Sequence, residues 1–204
     1  MVPTRDEMLM AARYPDGERA ALALGPRAFP PLIGSIAMSL SMYQASVPVF
    51  VRQLKALSTL LAKGEAFAAE QGIAPADLID ARLAPDMHPL ARQVQIASDS
   101  AKGVGRLAEA EVPSFPDTET SFAELQARIA NTIAFIEGLP ADAFEGSETR
   151  TVVLKAGGRE LSFTGETFLL HVALPNFLFH VTTAYAILRH KGVALSKMDY
   201  LGGM

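Results

Sequence analysis

Apolar residues return every three or four positions along most of this chain, the spacing that gathers them on one face of a helix. Between about Met42 and Gln71 the stripe is Val47, Phe50, Val51, Leu54, Leu57, Leu60 and Leu61. Pro48 stands near its start, where a first turn tolerates a missing N–H. A second stripe, Leu90, Ile96, Ala97, Val104 and Leu107, predicts a helix from about Pro89 to Glu111. Between these two, prolines punctuate the chain and leave room for a short helix around Ala76 to Leu83. The third helix opens with a capping box, Ser121-x-x-Glu124, whose side chains satisfy free backbone donors at a helix start. It continues through Phe122, Leu125, Ile129, Ile133 and Ile136 and is expected to stop at Gly138 and Pro140.

The period then changes. Thr151–Lys155 and Arg159–Phe163 flank Ala156-Gly157-Gly158, and β-branched and apolar runs around a Gly-Gly turn predict a β-hairpin. A fourth helix is expected from about Glu166 to His190, stopped at Gly192. Pro175 lies inside it and should kink it. The fold expected is all-α, a four-helix bundle with a small hairpin between helices 3 and 4, in one domain over residues 38–204.

Residues 1–37 lack this regularity. Tyr14-Pro15-Asp16-Gly17, Gly25-Pro26 and Pro30-Pro31 break their short apolar pieces, and four Arg balance four acids. Prolines interrupt the only candidate for a signal sequence, and the acids do not suit a transit peptide. The expectation is an unstructured leader, with Met38 as an alternative start.

Half of the residues are hydrophobic and the net charge is −4, so a sizeable core is available and no basic face for nucleic acid is indicated. Cysteine is absent, which removes disulfides, thiol nucleophiles and Cys-ligated zinc and fits a reducing, cytoplasmic setting. No stretch approaches about 18 uninterrupted apolar residues, so no membrane partner is expected. There is no G-x-S-x-G elbow, P-loop or dinucleotide fingerprint.

Candidate chemistry therefore rests on polar residues that lie on apolar stripes, because bundle sites are built from side chains projecting inward from facing helices. At about 100° per residue, His180 shares a face with Phe177, Ala184 and Ile187, and Asn176 precedes it by one turn. Gln93 lies in the stripe of Leu90, Ile96, Ala97, Ser100 and Val104. Gln93, Asn176 and His180 are thus expected to converge on one core, either as structural hydrogen bonding or as a pocket. His88 and His190 are expected at helix ends in solvent. His171 is expected to look out from the side opposite His180.

Met42-Tyr43-Gln44-Ala45-Ser46-Val47-Pro48-Val49-Phe50, Arg82–Met87, Arg92–Ala97 and above all His171-Val172-Ala173-Leu174-Pro175-Asn176-Phe177, continued to His190, resemble the DUF1993 family of uncharacterised bacterial proteins. Met198-Asp199-Tyr200-Leu201-Gly202 resembles that family's ending. The family is similar in turn to the DinB/YfiT-like superfamily of four-helix bundles. Many of those relatives bind a divalent metal through one histidine on the second helix and an H-x-x-x-H pair on the fourth, and some are thiol-dependent transferases or isomerases. The resemblance sets Asn176 and His180 on the pair and Gln93 near the second-helix position. Two of the three imidazoles would then be carboxamides, poor ligands for zinc or nickel. The first expectation is a bundle that binds a small ligand beside a degenerate metal site. The alternatives are a metal-dependent thiol S-transferase or isomerase with His180 as metal ligand or general base, and an assembly protein that pairs as a homodimer.

Overall fold

A computed structural model describes residues 40–156 and 158–203 of the chain. The leader expected over residues 1–37, and Met38 as a start, lie outside these. Helix α1 spans Met42–Gln71, a short α2 Pro75–Ile79, α3 Leu90–Lys102 and α4 Phe122–Glu137. Strands β1 (Thr151–Ala156) and β2 (Arg159–Thr164) follow, then a short α5 (Gly165–Phe168), α6 (Leu174–His190) and a closing α7 (Lys197–Leu201). The four long helices pack in a ring, α1 against α4, α4 against α3, α3 against α6 and α6 against α1. This is the expected all-α bundle with its hairpin between the third and fourth long helices.

Local chemistry explains the boundaries. Ser41 and Gln44 form a capping box ahead of α1, and Ser121 and Glu124 form the one expected ahead of α4. Gly72, at φ 64, ends α1 in the left-handed region that a residue without Cβ enters at little cost. Pro48 falls in the second turn of α1 rather than the first, so the helix passes through it with one backbone donor fewer.

Three expected elements are reshaped. The short helix stops at Ile79, because Asp80 already caps it. The second helix does not run on to Glu111: after Lys102 it tightens into a 3-10 segment, Gly103–Ala108, which ends at Glu109 with φ 52. Within it Gly105 lets the Phe135 ring pack closely, since a Cβ there would stand 2.8 Å from that ring. The fourth helix carries a π turn, Leu169–Ala173, immediately ahead of Pro175. The ring that cannot donate a hydrogen bond is accommodated by one widened turn, a common way for a helix to absorb a proline.

The core is continuous through the bundle. Phe50, Leu54, Leu57, Leu60 and Leu61 of α1 meet Leu125 and Ile129 of α4, Val94 and Ala97 of α3, and Phe177, Val181 and Ile187 of α6. Phe50 and Phe177 pack edge to face at 4.9 Å between centroids, a geometry favoured by the ring quadrupoles. The hairpin pairs Thr151 with Thr164 through to Ala156 with Arg159. Val152 is buried, while Leu154 leans against the bundle beside α3 and α6. Helix Gly165–His190 is long and apolar enough to cross a membrane by length and composition, at mean hydropathy 1.2. In this fold it is a bundle helix packed on α3 and α1.

Candidate functional site: the seam between α3 and α6

Helices α3 and α6 face one another along a seam bridged twice by polar side chains. At the first bridge His180 Nδ1 lies 2.7 Å from Gln93 Oε1, with both residues buried. The amide orientation is fixed by its other end, where Gln93 Nε2 donates to the His88 carbonyl at 2.9 Å. A carbonyl can only accept, so the amide nitrogen must face His88 and the amide oxygen must face the ring. The proton of the neutral imidazole is therefore on Nδ1, and Nε2 keeps a free lone pair. Nε2 has no hydrogen-bond partner among the described residues. The fully enclosed unpaired polar atoms there are Arg128 Nε and Ser147 Oγ, so the Nε2 lone pair reaches the surface.

The imidazole is held neutral. Burial lowers the His180 pKa to about 4, and the nearby charges of His88 and Arg92 push in the same direction. Phe179 adds an edge-to-face contact with the ring at 5.1 Å. At neutral pH this group is an acceptor at Nε2 and a weak base.

The second bridge lies one turn earlier on α6. Asn176 Nδ2 donates to Ser100 Oγ at 2.7 Å, and Ser100 in turn donates to the Ile96 carbonyl at 2.8 Å. Asn176 itself is exposed. The expected trio is thus divided. Gln93 and His180 meet directly, while Asn176 pairs with Ser100 on the outer edge of the same seam. The arithmetic of 100° per residue placed Asn176 beside His180 but could not decide which of two polar residues on α3 it would reach.

Beside the second bridge is a cavity of about 230 Å³ lined by Ile96, Ser100, Arg106, Leu154, Phe168 and Asn176 among others. Its walls come from α3, the 3-10 segment, the hairpin and the π turn. The Arg106 guanidinium makes no hydrogen bond or ion pair among the described residues. Asp99, also at its edge, is engaged by Lys102 at 2.8 Å and Arg128 at 2.9 Å. Gln93 and His180 do not line this cavity. Ser100 is legible as a stripe residue, but no spacing marks it as the partner of Asn176. Arg106 was missed, since a lone Arg after Gly103-Val104-Gly105 carries no pattern of its own. The remaining histidines, His88, His171 and His190, are exposed.

The residues present do not fit a divalent metal held by three imidazoles. Of the three positions implied by the superfamily, only His180 offers a nitrogen lone pair. Gln93 Oε1 is taken by the Nδ1 proton, and Asn176 is turned to Ser100. A single neutral nitrogen with carboxamide neighbours is a poor donor set for zinc or nickel. Among the described residues no group of three or more His, Asp or Glu side chains gathers at metal-binding distance.

A larger cleft of about 800 Å³ lies elsewhere, between the outer face of α1 and α7. Its charged side chains are mostly committed. Arg52 donates to the Leu201 carbonyl, Lys55 pairs with Glu137, and Asp199 pairs with Lys63.

Residues 42–201 match the family described as "Domain of unknown function (DUF1993)". A crystal structure of a DinB family member protein from Shewanella denitrificans is 42% identical, with a TM-score of 0.74, covering 79% of this chain and 92% of that one. No curated protein matches the chain. The scaffold is that of a DinB family member, and with the match running from the first bundle helix to the last, the chain belongs to the DUF1993 family.

Proposed function

We propose that this protein binds a small organic carboxylate in the seam between α3 and α6, beside a metal site of the superfamily that has become degenerate. The observation that carries the reading is the cavity itself. Apolar walls from Ile96, Leu154 and Phe168 surround an uncommitted guanidinium, Arg106, and a side-chain amide, Asn176. Apolar surface with a few convergent polar groups is the usual character of a ligand site. A guanidinium recognises a carboxylate by paired hydrogen bonds. The volume of about 230 Å³ suits a ligand below drug size, such as a short branched or hydroxylated acid.

In this reading Gln93 and His180 hold the neighbouring turn of the seam rigid without touching the ligand. The test is thermal unfolding with isobutyrate, 2-hydroxyisobutyrate and isobutyramide. A carboxylate present at ten times its Kd stabilises by about 1.4 kcal/mol, which raises Tm by roughly 3–6 °C in a domain of this size. The two acids are expected to stabilise, the amide is not, and Arg106→Gln abolishes the effect. Equal shifts with acid and amide, or no shift with any of them at millimolar concentration, refute the reading.

A further inference from the structure

We propose that the outward face of α6 is the contact between two copies of this chain, paired antiparallel about a two-fold axis beside Leu178. This proposal does not depend on the ligand reading. By helical arithmetic Leu178 lies about 200° round the helix from Asn176 and from His180, away from the α3 seam.

The first observation is apolar surface left uncovered. From Thr167 to Leu188 the chain has no Asp, Glu, Lys or Arg. The inward side of α6 buries Phe177, His180, Val181, Ala184, Ile187 and Leu188. Only 44% of its most apolar window is buried, however, and Leu170, Leu178 and Phe179 stand 45%, 37% and 55% exposed. Large apolar side chains grouped along one helix, rather than scattered singly, mark an interaction surface.

The second observation is the charge at the two ends of that face. Leu170 borders a cleft of about 590 Å³ shared with Glu145, Glu148 and Glu166. At the other end Thr182 and Tyr185 border a hollow shared with Lys197 and Tyr200, and Arg189 is exposed one turn beyond Tyr185. The face is thus acidic at the start of the helix, apolar in the middle and basic at its end. Such a surface complements itself when a second copy runs in the opposite direction, the requirement for a two-fold interface. With Leu178 opposite its own copy, Leu174 comes opposite Thr182, and Glu166 comes opposite the turn that carries Arg189. A parallel pairing would set acid against acid and base against base, so the charges fix the direction while the leucines supply the buried area. An anionic lipid surface is a poorer occupant, since the Glu145, Glu148 and Glu166 end would be repelled by it.

Sedimentation equilibrium of the full chain tests this, with twice the 21.8 kDa chain mass expected at micromolar concentration and low salt. Leu178 is already part-exposed, so Leu178→Glu is compatible with the monomer fold, and circular dichroism checks this directly. Leu178→Glu is expected to weaken association at least 100-fold. Glu166→Lys and Arg189→Glu each weaken it several-fold at low salt, and the double reversal recovers most of the loss. A wild-type chain that stays monomeric overturns the proposal. So does a dimer indifferent to Leu178→Glu, or to both single reversals. A monomer that floats with phosphatidylserine vesicles assigns the face to lipid and overturns it as well.

Discussion

Replacing His180 by Asn keeps a donor toward Gln93 Oε1 and removes the group that titrates. In the folded protein the His180 pKa is about 4, against an ordinary value of 6.5 in the unfolded chain. Between those two values the unfolded state holds a proton that the folded state excludes, so stability falls as pH falls through this window. Above about pH 7.5 both states are neutral there and the contribution is level. From about pH 7.5 to about pH 5 the two pKa values imply a loss of about 2 kcal/mol from this one residue. The assay is urea unfolding of wild type and His180→Asn at both pH values, comparing how much stability each loses. Carboxylates contribute to both proteins and cancel in that comparison. The wild type is expected to lose about 2 kcal/mol more than the variant. Equal losses would mean that His180 titrates as a solvated histidine, and the reasoning from burial would fail.

Other consequences follow from the packing and the donor set. Arg128 is buried and bonded to Glu119 at 2.8 Å and Asp99 at 2.9 Å, and it also reaches Asp117 at 3.0 Å. Burial opposes its charge, and the carboxylates outweigh that effect and raise its pKa. Arg128→Ala leaves Glu119 largely enclosed with the neutral Gln95 amide as its remaining partner and no compensating charge, and is expected to cost about 3 kcal/mol by chemical denaturation; a change below about 1 kcal/mol would contradict the network's role. Gly165→Ala would drive a Cβ into the Ser147 carbonyl oxygen, with Leu107 3.0 Å away. Since backbone must move, a loss of about 3 kcal/mol is expected in the same assay, and a neutral result would show that the hairpin junction is not packed this closely. Elemental analysis of protein purified without chelators is expected to find far less than one zinc or nickel per chain. A stoichiometric metal would show that the donor set had been misjudged.

Much of the architecture is legible from periodicity, because the bundle's stability comes from apolar stripes that the sequence states openly. The Met42–Gln71 stripe and the Ser121–Glu124 capping box translate directly into α1 and the start of α4. What the period does not carry is local backbone adjustment. Nothing in the stripe of Leu90 to Leu107 announces the 3-10 tightening at Gly103 or the close approach of the Phe135 ring to Gly105. Likewise Pro175 signals a disturbance, but its form, a π turn over Leu169–Ala173, is not written in the spacing. At the site, the stripes bring Gln93 and His180 to one seam, yet the tautomer depends on a bond to the His88 carbonyl, which is a matter of tertiary placement. Arg106 and the hairpin's Leu154 come to the same cavity from separate parts of the chain, and no spacing rule links them.

At the centre of the seam is a neutral, buried His180 whose proton is held at Nδ1 by Gln93. Two-bond proton–nitrogen NMR correlation of the imidazoles reads this state directly. The expected spectrum at neutral pH shows one histidine protonated at Nδ1 alone, absent in His180→Asn and unchanged down to about pH 5. A His180 signal protonated at Nε2, or one that titrates near 6.5 like a free imidazole, would contradict it.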